Sequence, residues 1–178
     1  MFFGLVINSF TFFIITCPLD IKNPIPNKIR IEPYTKERIG DVLAFEHELR
    51  RQEDFWGWEI DKAYKESVFQ SFSNPLFQAS VSYLAYVDNK VVGRIDSSLI
   101  PSHFDGSIKA YLDWICVLKS YRHNGVAQAL MEHLRQVLKE QYNVSVLIGL
   151  IASNKDAQSF YRSLPNSLIR DEGIWIDL

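Results

Sequence analysis

The stretch SYRHNGVAQALMEHL, Ser120–Leu134, joins a strand pattern to a helix pattern through a turn that contains Gly125. The preceding run KAYLDWICVL (109–118) reads as a strand, and the second half of the stretch begins an amphipathic helix. The first amides of a helix lack an internal acceptor, its N-terminus carries partial positive charge, and glycine lets a ligand approach the backbone closely. The stretch therefore predicts a phosphate-binding corner, to which Arg122 adds a cation. Taken alone, it also fits a plain strand-to-helix turn.

Outward from this corner, strand and helix patterns alternate along the chain. Asp88-Asn89 marks a tight turn between two alternating runs, and Thr35 reads as the N-cap of a helix. The predicted elements are a strand within 28–35, helices 36–52 and 61–72, strands 78–87, 90–100 and 109–118, helix 125–141, strand 144–151, helix 153–164 and a closing hairpin over 167–178 with Gly173 near its turn.

The predicted order, β α α β β β α β α β β, indicates an α+β fold with a mixed sheet rather than a doubly wound repeat. One parallel crossover is expected, from strand 109–118 through helix 125–141 to strand 144–151, and it should be right-handed. The β-branched run VSVLIGLI (144–151) predicts a strand that is buried on both faces.

Composition and charge exclude several classes of protein. With 178 residues, of which 47% are hydrophobic and 22% charged, the chain suits one domain with a core. The net charge of −2 and pI near 6.1 come without a basic stripe, so no nucleic-acid partner is predicted. Cys17 and Cys116 lie far apart without CxxC spacing, and the four histidines are scattered. The sequence therefore predicts no metal site and favours a reducing cytoplasm.

Residues 1–27 differ in composition from the single domain predicted at 28–178. An apolar run from Phe2 to Cys17 precedes the Pro-rich stretch IKNPIPNK, which cannot continue a helix or strand smoothly. The run lacks a basic n-region and is shorter than the roughly 20 residues of a membrane span, so a membrane partner is not favoured. A translated segment without a role, an added strand or partner-binding arm, and a membrane anchor are the alternatives.

Two motifs in the second half of the chain resemble the GNAT superfamily of N-acetyltransferases. RHNGVA (Arg122–Ala127) fits the pattern Arg/Gln-x-x-Gly-x-Gly/Ala, which marks acetyl-coenzyme A binding in that family, and follows an apolar strand as expected there. In NKDAQSFYRSL, Asn154, Ala157 and Tyr161 match residues that recur in the family's late helix. The resemblance covers 28–178 and implies the GNAT fold, acetyltransferase activity with acetyl-CoA as cosubstrate and, as is common in the family, a homodimer.

The resemblance implies a role for each matching residue. Backbone amides of the glycine motif would hold the pyrophosphate, and the main chain of the preceding strand would pair with the pantetheine arm like an added strand. Asn154 would contact the pantetheine or fix the splay between strands 109–118 and 144–151, and Tyr161 would face the coenzyme sulfur. The motif residues are Arg122, His123, Asn124, Gly125, Val126 and Ala127, and the strand residues are Ile115, Cys116 and Val117.

Acetyl transfer to an amine needs an acid on the thiol side and a base on the amine side. Tyr161 is the predicted acid, with a merely packing tyrosine as the alternative, and an amide within 115–117 is the predicted oxyanion donor. Asp113 is the predicted base or ammonium-binding anion, because a carboxylate within an apolar strand is costly unless it is paired or solvated in a cleft. Asp96 on the adjacent strand is the second candidate. A salt bridge to Arg94 or another neighbour is the structural alternative for Asp113.

Strand alternation predicts that Tyr111, Asp113, Ile115 and Val117 share one face of their strand. Cys116 then lies on the opposite face, away from Asp113, with no histidine nearby in the sequence. The sequence therefore predicts a buried structural thiol at Cys116. The resemblance likewise implies direct transfer, without an acetylated cysteine.

The acceptor is predicted to be a small amine. The segment RRQEDFWGWEID (50–61) combines acidic and aromatic residues, which suit a cationic, partly apolar amine as well as they suit plugs of the core. The spacing from VVG through ICV to RHNGVA, with the ending RDEGIWIDL, resembles aminoglycoside 3-N-acetyltransferases. The family usually has Gly-Phe where this chain has SLPNSL (163–168), which leaves the base of the acceptor site open. The alternative functions are a peptide or protein acetyltransferase and a coenzyme-binding module without catalysis.

Overall fold

The structure of the chain is a computed structural model that describes residues 28–53, 59–149 and 155–168. The described strands are β1 (Arg30–Pro33), β2 (Ser80–Val87), β3 (Lys90–Pro101), β4 (Ile108–Val117) and β5 (Leu147–Gly149). The described α-helices are α1 (Ile39–Gln52), α2 (Lys62–Ser71), α3 (Val126–Tyr142) and α4 (Lys155–Ser163). Within these ranges, no helix has the length and apolar composition needed to cross a membrane.

This succession matches the predicted order through the fourth helix. The closing hairpin predicted over 167–178, apart from Ser167 and Leu168, lies outside the described residues. Asp61 caps α2, since its side chain accepts a hydrogen bond from the Tyr64 N–H at 2.7 Å. Thr35 precedes a short 3-10 turn, Lys36–Arg38, that leads into α1, and its side chain makes no capping bond.

One mixed sheet carries the described strands in the spatial order β1-β2-β3-β4-β5. Neighbouring strands are antiparallel except β4 and β5, which are parallel and are connected through α3. The β2–β3 turn is made by Asp88 and Asn89 at φ values of 49° and 61°, the geometry that suits a tight hairpin. The predicted mixed α+β sheet with a parallel crossover is confirmed.

Helices cover both faces of the sheet, with one hydrophobic cluster under α3 and a smaller one under α1. β3 approaches α3 very closely at Gly93, where a Cβ atom would lie 2.9 Å from Val126 Cγ1. This close approach sets the N-terminal end of α3 on the sheet beside the end of β4. The fold therefore positions the glycine corner against the central strands.

The register between β3 and β4 shifts at one point. Asp96 lies opposite Trp114, whereas the next residue of β3, Ser97, lies opposite Leu112. Asp113 is the extra residue of the resulting β-bulge. An inserted residue interrupts the two-residue alternation of side chains. Odd-numbered residues of β4 therefore lie on one face of the sheet before the bulge and on the other face after it.

The bulge overturns the predicted grouping of side chains along β4. Ile115 and Val117 belong to the cluster under α3, whereas Cys116 belongs to the cluster under α1. Asp113 accepts a hydrogen bond at 2.7 Å from Ser98, which projects from β3 on the α1 side. The prediction that Asp113 shares a face with Ile115 and Val117 is wrong, because the inserted residue moves the alternation by one position.

β5 begins later and is more exposed than the sequence predicted. Within the described residues only Leu147–Gly149 pair with β4, and Ile148 is 44% exposed. Because Ile148 and Gly149 are both exposed, the prediction of burial on both faces is wrong for this part of the run. Val144 is buried instead at the end of α3, where its N–H donates to the Leu138 carbonyl at 2.9 Å.

Candidate active site

The corner between β4 and α3 has a backbone geometry suited to an anion. Gly125 precedes the first helical residue at φ 78°, and His123 also has a positive φ of 61°. The first i−4 hydrogen bond of α3 runs from the Ala129 N–H to the Gly125 carbonyl at 2.9 Å, so earlier helical amides lack an intrahelical acceptor. Apart from chain neighbours, no heavy atom lies within 4 Å of the position that a Gly125 Cβ would take. The corner therefore combines helical amides at 126–128 that lack an intrahelical acceptor with open space beside Gly125.

The Arg122 side chain is bonded within the protein and is not a free cation at the glycine corner. Its Nε donates to the Val117 carbonyl at 3.1 Å, and its Nη2 donates to Glu53 Oε1 just beyond α1. Gln52 accepts from the Ser120 N–H at 3.1 Å and donates to Ser120 Oγ at 3.2 Å. The C-terminal end of α1 is thereby fastened to the glycine corner, and the Arg122 charge is paired.

Beyond the residues that pair with β5, the same edge of β4 is the place predicted for a pantetheine arm. β5 pairs with β4 over Ala110–Leu112, and no described strand lies beside Ile115, Cys116 or Val117 on that edge. Backbone groups on an unpaired strand edge can accept an added strand. In the described part of the chain, this edge leads directly to the glycine corner.

Burial raises the pKa of the Cys116 thiol to about 11. A thiol with that pKa is protonated near neutral pH and is a weak nucleophile. This favours the predicted structural role for Cys116. The prediction from strand alternation that Cys116 lies on the face opposite Asp113 is wrong, however, because the bulge places both residues on the same face of β4.

The two candidate bases have different partners. Asp113 is exposed, and its Oδ2 accepts the hydrogen bond from Ser98 Oγ. Asp96 is paired with Arg94, whose Nη2 donates to Oδ1 at 2.9 Å and whose Nε lies 2.7 Å from Oδ2. The Arg94 salt bridge that was the alternative for Asp113 thus belongs to Asp96. Asp113 is the carboxylate of the two that an incoming ammonium group can reach.

A buried acidic residue that the sequence analysis did not single out lies behind these carboxylates. Glu46 of α1 is 1% exposed and accepts hydrogen bonds from the Tyr64 hydroxyl at 2.7 and 2.9 Å and from Arg94 Nη1 at 3.1 Å. The Arg94 guanidinium lies 4.7 Å from the Tyr34 ring centroid and 5.6 Å from that of Trp114. The sequence carries a signal for this cluster, because Glu46 occupies a buried position on the apolar stripe of α1.

Tyr161 lies on α4, half-buried against the larger hydrophobic cluster. Burial raises the pKa of its phenol, which is therefore protonated and able to donate near neutral pH. Ser167 Oγ donates to the Tyr161 carbonyl at 2.8 Å, so the SLPNSL segment folds back on the end of α4. Asn154 and residues 54–58 of the predicted acceptor segment lie outside the described residues.

This fold, with a helix N-terminus that opens beside an unpaired strand edge, agrees with the acyltransferases of the N-acetyltransferase type, and the chain is an enzyme of that class. The sequence profile described as the acetyltransferase (GNAT) family matches residues 41–164, more than half of the chain. The chain belongs to the GNAT family. A comparison with curated proteins gave no match.

Solved structures share this fold at low sequence identity. An aminoglycoside acetyltransferase from an uncultured soil metagenomic sample, in complex with trehalose, has a TM-score of 0.70 at 16% identity over 84% of this chain and 96% of that one. The ribosomal-protein-alanine N-acetyltransferase from Brucella melitensis biovar Abortus has a TM-score of 0.66 at 16% identity, with 85% and 99% covered. The aminoglycoside antibiotic 6'-N-acetyltransferase from Acinetobacter baumannii has 0.65 at 18% identity, with 85% and 99% covered.

Proposed function

We propose that the chain is an acetyl-CoA-dependent N-acetyltransferase that moves an acetyl group directly to a primary amine of a small, cationic acceptor. The observation that carries this proposal is the glycine corner, where Gly125 at φ 78° opens the N-terminus of the 17-residue helix α3. A diphosphate suits this corner because the first helical amides lack an intrahelical acceptor and the space beside Gly125 is open. The strand edge at 115–117 then suits the pantetheine arm.

The transfer that we propose requires one proton acceptor and one proton donor. Acetyl-CoA supplies the acetyl group as a thioester, and a C–N bond to the amine replaces its C–S bond. Asp113 takes a proton from the ammonium group, which leaves a neutral amine to attack the thioester carbonyl. The nitrogen gives up its second proton after the attack, and Tyr161 gives a proton to the departing sulfur, so that one proton is released overall. A backbone N–H within 115–117 donates to the carbonyl oxygen as negative charge develops there.

A cationic acceptor is proposed because Asp113 is an exposed carboxylate whose neighbouring polar partner, Ser98, carries no charge. Two of the three structural neighbours described above are aminoglycoside acetyltransferases, and aminoglycosides carry several amino groups. Their likeness to this chain supports the choice of a polyamine-like acceptor for the first assays. Transfer to a 3-amine, as in aminoglycoside 3-N-acetyltransferases, stays a prediction.

Calorimetric titration of acetyl-CoA into the full chain tests the coenzyme part of the proposal. We expect Gly125→Asp to weaken binding at least about a hundredfold, roughly 2.7 kcal/mol, because a carboxylate would occupy the anion site. Gly106→Asp is the matched control, since Gly106 also has a positive φ, of 68°, and open space around its Cβ position. Absence of binding to folded wild-type protein, or equal binding by both variants, contradicts the proposal.

A peptide N-acetyltransferase is the second candidate function, favoured by the likeness to the ribosomal-protein-alanine N-acetyltransferase. Release of the coenzyme thiol would be measured with spermidine, with sisomicin, the ligand in a neighbouring structure, and with a peptide that begins with alanine. Turnover of the small amines alone supports the main proposal. Turnover of the peptide alone supports the second. Coenzyme binding without turnover of any amine would identify a binding module without catalysis.

A further inference from the structure

Three charged side chains behind the candidate base form what we call the Arg94 network: Glu46 on α1, and Arg94 and Asp96 on β3. Glu46 is 1% exposed, and the side chains of Arg94 and Asp96 are 17% and 14% exposed. Removing charges from water is costly, and well-packed apolar side chains often fill such a space at no loss of stability. The network therefore points to a role in specifying geometry, and none of the proton transfers proposed above uses it.

The network lies at the β-bulge. Asp96 pairs across the sheet with Trp114 at the point where the register shifts, and Arg94 lies 5.6 Å from the centroid of the Trp114 ring. Trp114 directly follows Asp113, the inserted residue. The Arg94 network thus contacts the residue next to Asp113, while Ser98 binds the Asp113 carboxylate itself at 2.7 Å.

Glu46 determines how the Arg94 guanidinium is held. Its Oε1 accepts from Arg94 Nη1 at 3.1 Å, while Asp96 contacts Nη2 and Nε on the other edge of the same plane. A planar guanidinium held along two edges has a fixed orientation, which suits stacking on the rings of Tyr34 and Trp114. A lysine at position 94 would keep the positive charge but would lose the planar guanidinium and its fixed arrangement of N–H donors.

We propose that Glu46 and Arg94 are positioning residues that hold the β4 bulge through Trp114 and so aim Asp113 at the acceptor. The inference rests on the proposed function only in assigning the amine to Asp113. Neither residue touches the reacting groups, and no hydrogen bond of the network reaches the glycine corner in the part of the chain that the structure describes. The network should therefore affect the acceptor step and leave coenzyme binding intact.

Nuclear magnetic resonance tests the positioning directly. The indole N–H signal of Trp114 and the carboxylate carbon signal of Asp113 would be assigned with Trp114→Phe and Asp113→Asn, and compared in wild type, Glu46→Gln, Arg94→Lys and Arg94→Met. Arg38→Met is the matched control, because Arg38 is also partly buried, bonded to Glu32 and Tyr86 at 3.2 Å each, and lies away from the bulge.

We expect both signals to move in each folded variant of Arg94 and of Glu46, and to stay in place in Arg38→Met. Glu46→Gln keeps the shape and the hydrogen-bonding oxygen of the original side chain, so it preserves the test if Arg94→Met does not fold. Signals that coincide with those of wild type in a folded Arg94 variant would overturn the inference.

Kinetics separate this inference from the proposed function. With spermidine or sisomicin as acceptor, we expect Arg94→Lys to lower kcat about tenfold to a hundredfold, the scale of a misplaced catalytic group. The Kd for acetyl-CoA should stay within about twofold of wild type, because no hydrogen bond of the network reaches the glycine corner among the described residues. Unchanged kcat in an active enzyme would contradict positioning. A wild-type chain that acetylates no amine contradicts the proposed function instead, and the resonance shifts still decide whether the network holds Asp113.

Discussion

At the scale of single residues, burial keeps two groups near the candidate site in their neutral forms. The pKa of the Cys116 thiol is raised to about 11 and that of the Tyr161 phenol is raised as well, both because burial disfavours the charged form. For Tyr161 a retained proton is what a general acid requires. For Cys116 it removes the thiolate that covalent transfer would need.

The raised pKa of Cys116 predicts a loss of stability in alkali. An unfolded thiol titrates near its ordinary value of 9.0 and the folded one near 11, so in this range the unfolded state binds fewer protons and the free energy of unfolding falls as pH rises. Two pKa units correspond to about 2.7 kcal/mol of stability, which is fully present below pH 9 and is lost progressively between about pH 9 and 11.

Urea unfolding between pH 8 and 11 measures this effect against the variant Cys116→Ala. The difference in unfolding free energy between the two proteins isolates the thiol, because the tyrosines with raised pKa values titrate in both. We expect the advantage of the wild type over the variant to shrink as pH rises. A difference that does not depend on pH would contradict the burial of this thiol.

At the scale of elements, local patterns predicted the order of strands and helices, whereas contacts between distant segments decided the details. The glycine corner was predictable because one short segment, Arg122–Ala127, contains its whole signal. The pairing of Arg122 with Glu53 was not, since the two residues are 69 positions apart. The bulge at Asp113 likewise arises from the register between β3 and β4. The pattern of residues within β4 alone carries no information about that register.

Helix α2 provides a second case in which one distant contact carries the geometry. No residue of α2 is fully buried, and its Tyr64 hydroxyl bonds both carboxylate oxygens of Glu46 on α1. Tyr64→Phe should lower the free energy of unfolding by about 1–3 kcal/mol, because it leaves a buried carboxylate without one of its donors. Hydrogen exchange should also quicken at the amides of Lys62–Ser71.

Tyr142→Phe is the matched control for this prediction, since Tyr142 is 38% exposed at the end of α3. We expect this variant to change the free energy of unfolding by no more than about 0.5 kcal/mol. The rate of hydrogen exchange at the α2 amides should stay as in wild type. Equal exchange of the α2 amides in Tyr64→Phe and in wild type would mean that other contacts hold this helix.

At the scale of the whole molecule, the predicted boundary at 28 between the apolar extension and the domain stays a prediction, because residues 1–27 lie outside the described residues. Among the described residues, the earliest that packs against a hydrophobic cluster is Ile29, and β1 begins at Arg30.

A chain that begins at Lys28 should unfold in one cooperative transition with the same urea m value as the full chain. The m value scales with the surface that unfolding exposes, so a segment that buries nothing on the domain contributes little to it. Circular dichroism and tryptophan fluorescence, followed together through the transition, would measure m and test for a single step. A smaller m in the shorter chain would mean that residues 1–27 bury surface on the domain, as an added strand or arm would. Loss of the cooperative transition would instead place the domain boundary before residue 28, because part of the core would then have been removed.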